Sequence, residues 1–321
     1  GREIRTFEQT GRFSPVSNYA FGEGGAGTFS DGKLTSRSKH LSLEKAFILD
    51  QYVSAGAPKE IRWLAHPHLG TDNLKKIVEN LRKKFESIGG RMLFETEVSD
   101  MDVKNGSVRA VTTTTGQIEA DYFVFAPGHS SYQTYRMLMR NGVAFRTKNF
   151  ALGSRAEHPQ TLINRAQWGV DHLPGIKAAE YRLTSQTDGI FPVYTFCMCP
   201  GGMVVPATPF AHTNIVNGMS YYQRGGEFAN AACVAGIHPD QLSDSAMSPA
   251  AALDWLESLE SFFYEFAEGY AAPFCTIKDF LRRKESSEDV KSSYPLGLKP
   301  APLWDMLPFP VVRAMQLGLK D

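Results

Sequence analysis

A glycine-rich segment, residues 22–34, has the residue types needed to hold a phosphate group. Five of its first eleven residues are glycine, and a Thr, a Ser, an Asp and a Lys lie among or beside them. Glycine adopts positive φ and lets the backbone approach a ligand closely. Successive backbone N–H groups in such a turn form a concave nest that favours anions. Composition alone leaves two interpretations of this glycine loop: a loop around a phosphorylated ligand, or a surface loop whose own turns need glycine.

Three further side chains have the chemistry to act on a substrate. His158 follows Arg155 and Glu157, and a His beside a carboxylate can be held in one tautomer and used as an acid or base. The alternative is a structural hydrogen bond at the end of a strand before Pro159. Arg224 precedes two glycines and could hold a carboxylate or phosphate, or lie on the surface. We take Arg155, His158 and Arg224 as the candidate catalytic residues.

Cys197 and Cys199 form a C-x-C pair that has three interpretations. A zinc site would need further Cys or His ligands, and no second pair follows at finger-like spacing, so we predict no metal. A thiol relay beside a redox cofactor is the second interpretation. The third, which we favour, is a strand that buries both sulfurs on one face, opposite Met198.

A literal match to the dinucleotide fingerprint G-x-G-x-x-G occurs at Gly22, Gly24 and Gly27. That pattern predicts a nucleotide fold only where a strand leads in and a helix leads out. Residues 17–21 are too short and mixed for a buried strand, and residues 28–37 have no helical apolar stripe. We therefore reject a first βαβ unit at this position.

Taken whole, the glycine loop resembles the signature of a family of bacterial flavoproteins described as FAD-dependent, or NAD(FAD)-utilising, dehydrogenases. Further segments resemble the family in the same order along nearly all of the chain: residues 55–58, 67–72, 126–130, 155–159, 196–202, 217–221 and 279–281. The resemblance implies FAD as the cofactor and NADH or NADPH as a candidate electron donor. It also implies a small-molecule substrate, whose identity it does not give.

The same resemblance implies which residues would contact the cofactor. The glycine loop would meet the flavin and its phosphates, the end of a buried strand would approach the cofactor, and Val98 would lie on a strand that contacts the adenine. The implied set is Gly22, Glu23, Gly24, Gly25, Ala26, Gly27, Thr28, Ser30, Asp31, Gly32, Lys33, Val98, Ala126, Pro127 and Gly128. Val98 as a core residue and Gly128 as a turn residue are the alternatives.

The sequence departs from the family pattern at both ends. A family member would open with a strand and a glycine-rich turn for the FAD pyrophosphate, and would close with a segment that returns to the flavin. We therefore expect the chain to be an internal fragment of an FAD-dependent oxidoreductase, inactive by itself. The alternative is a natural protein that dispenses with the standard dinucleotide turn. The alternative function is a non-catalytic module that holds a nucleotide or another anion.

Three regions are expected to position these residues in an α/β fold that is α+β in places. Residues 1–148 are predicted to form a partial FAD-binding domain, residues 149–270 an inserted, mainly antiparallel substrate domain, and residues 271–321 a return segment toward the FAD domain. The first region should contain a helix over residues 72–88, capped by Thr71 or Asp72. A strand over residues 91–98 and a β-meander with a hairpin turn at Asn105-Gly106 should follow. Residues 122–126, a continuous apolar run, are typical of a strand buried on both faces.

Composition excludes several classes of partner. The chain has 34 Lys and Arg against 34 Asp and Glu, so no net basic field attracts nucleic acid or an anionic membrane. No apolar run reaches the roughly 18 residues that a membrane-spanning helix needs. Four cysteines without a disulfide framework are typical of a reducing compartment. We therefore expect a cytoplasmic protein that binds neither nucleic acid nor membrane.

Overall fold

The computed structural model describes residues 1–35, 42–189, 191–287 and 290–321. Its helices are α1 (Arg2–Thr10), α2 (Ser42–Ser54), α3 (Gly70–Ser87), α4 (Tyr132–Arg140), α5 (Gln160–Trp168), α6 (Pro249–Ala267), α7 (Ile277–Arg282), α8 (Leu303–Met306) and α9 (Phe309–Gly318). Its strands are β1 (Val98–Lys104), β2 (Ser107–Thr113), β3 (Gly116–Glu119), β4 (Phe150–Pro159), β5 (Thr184–Ser185), β6 (Val193–Cys199), β7 (Met203–Pro206), β8 (Val216–Met219), β9 (Phe228–Ile237), β10 (Ala272–Phe274) and β11 (Leu298–Pro300).

The fold is α+β, with antiparallel sheets at its centre. The largest sheet has the strand order β4-β9-β6-β5, and all of its pairings are antiparallel. A meander, β1-β2-β3, lies in the N-terminal region, and β7 pairs with β8. Only β10 and β11, of the strands described, pair in parallel. The expected antiparallel character of the middle region is therefore confirmed.

One face of the central sheet is closed by the C-terminal helices. Cys233, Ala235 and Ile237 on β9 pack against a cluster that includes Val311 and Val312 of α9. Because side chains alternate across a strand, the neighbouring positions of β4 and β9 face the other way. That second face holds Arg155 and Asn230, so these two polar side chains lie on the side of the sheet away from α9.

Several predicted elements of the N-terminal region are confirmed, but the cap of α3 is wrong. The helix forms over Gly70–Ser87, yet Leu69 is its first cap residue and no side chain bonds there. Thr71 Oγ1 instead donates to Thr28 O, and Asp72 Oδ1 accepts from Tyr222 N. Both side chains that suited a cap hold the helix to other segments. The hairpin turn is present, with Asn105 and Gly106 at φ 53° and 75°, the left-handed pair that such a turn requires.

The prediction of two strands that flank the meander is wrong, because neither strand forms. Residues 91–97 form no strand, and only Val98 joins β1. Residues 122–126 form no ladder, and Tyr122 and Val124 are 90% and 91% exposed. Phe123 and Phe125 pack against the Met101 cluster, so the segment is covered on one side only. A strand buried on both faces needs neighbours in a sheet, and no described segment pairs with this one; the α/β character expected here is therefore not seen.

Candidate functional site at the loop–sheet junction

The end of the glycine loop meets the segment after β8 at a buried ion-pair cluster centred on Asp31. Arg224 Nε and Nη2 donate to its two carboxylate oxygens at 3.0 and 2.5 Å. Lys33 Nζ lies 2.9 Å from Asp31 Oδ2, and Ser220 Oγ donates to Oδ1. Lys33 Nζ also donates to Met198 O on β6. We call Asp31, Lys33, Arg155, residues 197–199 and Arg224 the loop–sheet junction.

The charge state of Asp31 follows from these contacts. Burial alone would raise its pKa, because a desolvated carboxylate loses hydration. The hydrogen bonds from Arg224, the positive charges of Lys33 and Arg224, and the Ser220 hydroxyl outweigh burial and lower the pKa of Asp31 to about 2. Asp31 is therefore a fixed anion at neutral pH, and it holds two cations beside the sheet.

Backbone bonds lock the same loop onto the start of α3. Leu69 N donates to Gly32 O and Gly70 N donates to Asp31 O, both at 3.0 Å, and Thr71 N donates to Ser220 O at 3.0 Å. Gly70 has φ 72°, and a Cβ there would lie 2.2 Å from Tyr222 N. Only glycine permits this approach, so Gly70 is required for the contact between loop, helix and sheet.

The glycines of the loop have two different roles. A Cβ at Gly24 would lie 2.4 Å from Thr28 Cγ2, and one at Gly32 would lie 2.9 Å from Leu74 Cδ1. These two glycines are needed for packing within the protein. A Cβ at Gly22 or Gly27 would meet nothing within 4 Å, and both residues are exposed. The exposed side of the loop therefore leaves room for a ligand to contact its backbone.

The polar side chains of the loop bond mostly within the protein. Thr28 Oγ1 donates to Gly25 O, Ser30 Oγ donates to Gly27 O, and Glu23 forms an ion pair with Arg82 at 2.5 Å. The backbone of residues 22–27, with Ala26 exposed between two glycines, is left as the surface through which the loop can contact a ligand.

Arg155 reaches the junction from β4 and lacks an ionic partner. Its Nη1 donates to Asn230 Oδ1 at 2.7 Å and to Cys197 O at 3.4 Å, and its Nη2 donates to Asn217 Oδ1 at 2.8 Å. All three acceptors are neutral, and no carboxylate among the described residues forms an ion pair with this guanidinium. Its Nε is closed to solvent and has no hydrogen-bond partner. Burial lowers the pKa of Arg155, although the neighbouring Cys199, Cys197 and Tyr181 act in the opposite direction.

The predicted arrangement of the two cysteines is wrong. Cys199 and Met198 are both buried, whereas Cys197 is exposed. A bulge between Phe196 and Cys199 breaks the alternation, and Cys197 takes φ 46° within it. Burial raises the pKa of both thiols, that of Cys199 to about 11. Neither cysteine is therefore an activated thiolate at neutral pH.

His158 lies away from the junction. Adjacent residues of a strand face opposite sides of the sheet, so His158 and Glu157 do not pair. His158 Nε2 lies 2.9 Å from the Tyr181 hydroxyl and its Nδ1 3.2 Å from Pro159 O. Glu157 accepts hydrogen bonds from the Ser293 amide and hydroxyl instead. The structure thus brings Arg155 and Arg224 to one site and His158 to the other face.

The remaining predicted cofactor residues gather beside α4. Val98 belongs with the Met101 and Met137 cluster, which supports its alternative as a core residue. Pro127 O accepts from Ser131 Oγ, and Gly128 O accepts from the Tyr135 hydroxyl. Ala126 and Gly128 are exposed, and Gly128 has φ 81°. These residues surround the entry to α4 rather than the junction.

Sequence reasoning missed several residues of the site. Asn217 and Ser220 lie in a segment that resembles the flavoprotein family, so that resemblance was an available signal. Tyr222 gave no signal in the sequence; in the structure its ring centroid lies 3.2 Å from Lys177 Nζ, and its hydroxyl donates to Glu60. Asn230 sits in an alanine-rich strand and gave no signal.

The described residues contain neither a membrane span nor a metal cluster. No helix in the described parts of the chain is both long and apolar enough to cross a membrane. No group of three or more His, Cys, Asp or Glu side chains among those residues is arranged to bind a metal ion.

Comparison of the sequence with known proteins assigns the chain to a family. A model described as "FAD-dependent protein, C-terminal domain-like" matches residues 149–321. An uncharacterised protein of Clostridium beijerinckii (strain ATCC 51743 / NCIMB 8052) is 39% identical over 321 residues, which cover 98% of this chain and 60% of that protein. A D-amino acid dehydrogenase of Vibrio atlanticus (strain LGP32) is 28% identical over 86 residues, 27% of this chain and 21% of that enzyme. The chain thus spans only 60% of the Clostridium relative's length, and it belongs to the FAD-dependent protein family defined by this C-terminal domain.

Proposed function

We propose that the chain is part of an FAD-dependent oxidoreductase in which the loop–sheet junction joins the cofactor side to the substrate side. The observation that carries the proposal is the buried pairing of Asp31 with Arg224, which fixes the glycine loop against the central sheet. We further propose the division into residues 1–148, 149–270 and 271–321 as cofactor domain, substrate domain and return segment. Family membership supports FAD as the cofactor.

The residues present fit such a cofactor. The exposed face of the glycine loop is open above Gly22 and Gly27, so the backbone of residues 22–27 would hold part of the bound FAD. Residues 126–128 and Val98 are the further proposed contacts. FAD, when bound, supplies the two-electron redox chemistry, and the protein supplies orientation and electrostatics.

The side chains of the junction divide into two proposed roles. Asp31, Ser220 and Arg224 are positioning residues, because their hydrogen bonds are made to one another and set the course of the loop. Arg155 is the proposed substrate contact, since its charge has no partner within the protein. His158 faces the opposite side of the sheet, and we do not assign it a substrate contact.

Anaerobic reduction of bound flavin tests the function. We would measure flavin absorbance of this protein and of the longer Clostridium relative, then add NADH, NADPH or a panel of D-amino acids, the substrate class that the Vibrio enzyme is named for. We expect bound flavin, bleached by at least one of these donors, in the longer relative; this chain, expected to be inactive by itself, should take up added FAD without reducing it. The matched variants Asp31→Asn, at the junction, and Asp171→Asn, at an exposed ion pair with Arg165, should differ, with only the first losing flavin.

The rival function, a module that binds a nucleotide or another anion without turnover, makes a distinct prediction. Such a module would bind adenine nucleotides without flavin absorbance, and no electron donor would change its spectrum. A colourless protein that stays colourless after incubation with FAD, in both this chain and the relative, would contradict the oxidoreductase proposal.

A further inference from the structure

The buried polar atoms that lack hydrogen-bond partners are concentrated at Arg155. Three such side-chain atoms occur in the described residues: Arg155 Nε, Asn230 Nδ2 and Glu260 Oε2. The first two are donors and belong to side chains that bond to each other, through Arg155 Nη1 and Asn230 Oδ1 at 2.7 Å. Buried polar groups are almost always satisfied, so two orphaned donors on one bonded pair mark a place where an acceptor is lacking.

The hydrogen bonds of Arg155 show which acceptor is lacking. A guanidinium has five N–H donors and no acceptor, and three of those of Arg155 are used, all on neutral oxygens. Nε–H and one N–H on Nη2 remain. The Asn230 amide cannot be turned to supply an acceptor there, because its oxygen already accepts from Arg155. The cluster therefore has an excess of donors and an uncompensated positive charge.

Arg224, the other arginine of the junction, has carboxylate partners, so the lack of a counter-ion is confined to Arg155. Arg224 is 7% exposed and is bonded to Asp31, with Glu180 3.4 Å from its Nη1. A buried charge without a partner is costly, and the fold supplies two carboxylates to Arg224 but none to Arg155. Gly218 lets the guanidinium pack closely against β8, since a Cβ there would lie 2.6 Å from Nη1.

We propose that Arg155, with Asn217 and Asn230, forms an oxyanion subsite that takes the carboxylate of the substrate. A carboxylate accepts from the Nε and Nη2 edge of a guanidinium in two parallel hydrogen bonds. Nε is closed to solvent, so the carboxylate would have to enter past Cys197 and Phe196, both exposed at this end of β6. The subsite itself rests on the structure, and only the identity of the anion as a substrate rests on the proposed function.

Calorimetric titration of the 321-residue chain with sodium acetate, sodium benzoate and inorganic phosphate, at fixed ionic strength, tests the subsite. We expect a saturable carboxylate site in the wild type, weakened about tenfold to a hundredfold in Arg155→Gln, the usual range for losing a charged hydrogen bond. Arg165→Gln removes an exposed arginine that already pairs with Asp171 and should bind as the wild type does.

A second variant places a negative charge beside Arg155 within the protein itself. Asn230→Asp places a carboxylate 2.7 Å from the guanidinium at the present amide position, so we expect a higher thermal midpoint without ligand and no acetate binding. This variant keeps the test valid if Arg155→Gln fails to fold. A purely structural Arg155 would give the reverse pattern: lower stability in Arg155→Gln and no anion binding in any variant.

Each remaining outcome decides the question. Carboxylate binding that is unchanged in Arg155→Gln and Asn230→Asp would overturn the subsite, as would no binding of any probe, because internal water would then satisfy the donors. Binding of phosphate alone would overturn the carboxylate class. None of these readouts needs flavin, so a carboxylate site without flavin reduction would contradict the proposed function and leave the subsite standing.

Discussion

Two buried carboxyl groups, Asp31 at the junction and Glu260 on α6, are treated in opposite ways by their surroundings. Their exposures are nearly equal, 3% and 5%. Asp31 is bonded to two cations and a hydroxyl, and its pKa falls to about 2. Burial raises the pKa of Glu260 to about 7, although the hydroxyl of Tyr132 lies 3.2 Å from Oε1. Burial alone therefore does not decide whether a carboxyl group is charged; its partners do.

A cation on the helix that contacts Glu260 is directed elsewhere. Arg136 on α4 pairs with Asp254 and Glu257 of α6, each at 2.5 Å. Glu260 Oε2 is left buried without a partner. The contact between α4 and α6 thus contains a carboxyl group that titrates near neutral pH, whereas the carboxyl group at the junction is ionised there.

The largest expected effect on stability comes from removing Arg224, the buried arginine that pairs with Asp31. Arg224→Met leaves Asp31 buried with Lys33 and Ser220 only, and loss of one partner of a buried pair costs about 3–5 kcal/mol. Urea unfolding at pH 7 should show this loss in the free energy of unfolding. Arg165→Met, at an exposed ion pair, should change it far less, because water screens such a pair. Equal effects of the two variants would show that the Asp31 cluster is not a stabilising contact.

Glu260→Gln should raise the free energy of unfolding at pH 8, whereas Arg224→Met should lower it. The folded pKa of Glu260 lies above its usual value, so its contribution to stability is full below pH 4.5 and is lost as pH rises through about 7. At pH 8 the glutamine variant should be about 3 kcal/mol more stable than the wild type, from about 1.4 kcal/mol per pKa unit. At pH 4 the two should be alike. A gap that does not change between these two pH values would contradict the neutral form.

The stabilising contribution of Asp31 should be lost as pH falls, whereas that of Glu260 is lost as pH rises. Its folded pKa is lowered, so its contribution is present above pH 3.8 and is lost as pH falls toward 2. The stability difference between wild type and Asp31→Asn should therefore shrink by about 2 kcal/mol between pH 5 and pH 2. Chemical denaturation at several pH values measures it. A difference that stays constant would mean that Asp31 titrates normally.

The smallest effect concerns Tyr132, whose hydroxyl is the one side-chain donor to the Glu260 carboxyl group among the described residues. Tyr132→Phe removes the hydroxyl that bonds to Oε1 and should cost about 1 kcal/mol, the usual value of a hydrogen bond. The pKa of Glu260 should rise further, since that bond lowers it. Tyr135→Phe, on the exposed part of the same helix, is the control, because its hydroxyl donates to Gly128 O instead. A pH profile identical to that of the wild type would show that Tyr132 does not set the titration of Glu260.

Local patterns in the sequence predicted local structure well. The apolar stripe of α3 and the Asn105-Gly106 turn depend on neighbours a few residues away, and both are present. Residues 122–126 were predicted wrongly because an apolar run records only that a segment tends to be buried. Whether it becomes a strand depends on a partner that no local pattern identifies.

In the candidate site, too, the sequence indicated residue types but not which distant residues pair. Asp31, Lys33 and Arg224 were each singled out by residue type, but their pairing could not be foreseen, because it joins two segments that lie far apart in the sequence. Arg155 was predicted as a candidate, while its lack of a counter-ion is a property of its surroundings alone. Asn230 became visible only when β9 was placed beside β4.

The Asp31–Arg224 pair also bears on how the protein is made. The two residues are separated by 193 positions in sequence, so at about 5–20 residues per second the ribosome makes Arg224 about 10–40 s after Asp31. During that interval the emerging loop has its acidic side chain but not the arginine that neutralises it. Chain closure over this length adds an entropic barrier that grows with the logarithm of the separation. The glycine loop is therefore synthesised well before the arginine that holds it against the sheet.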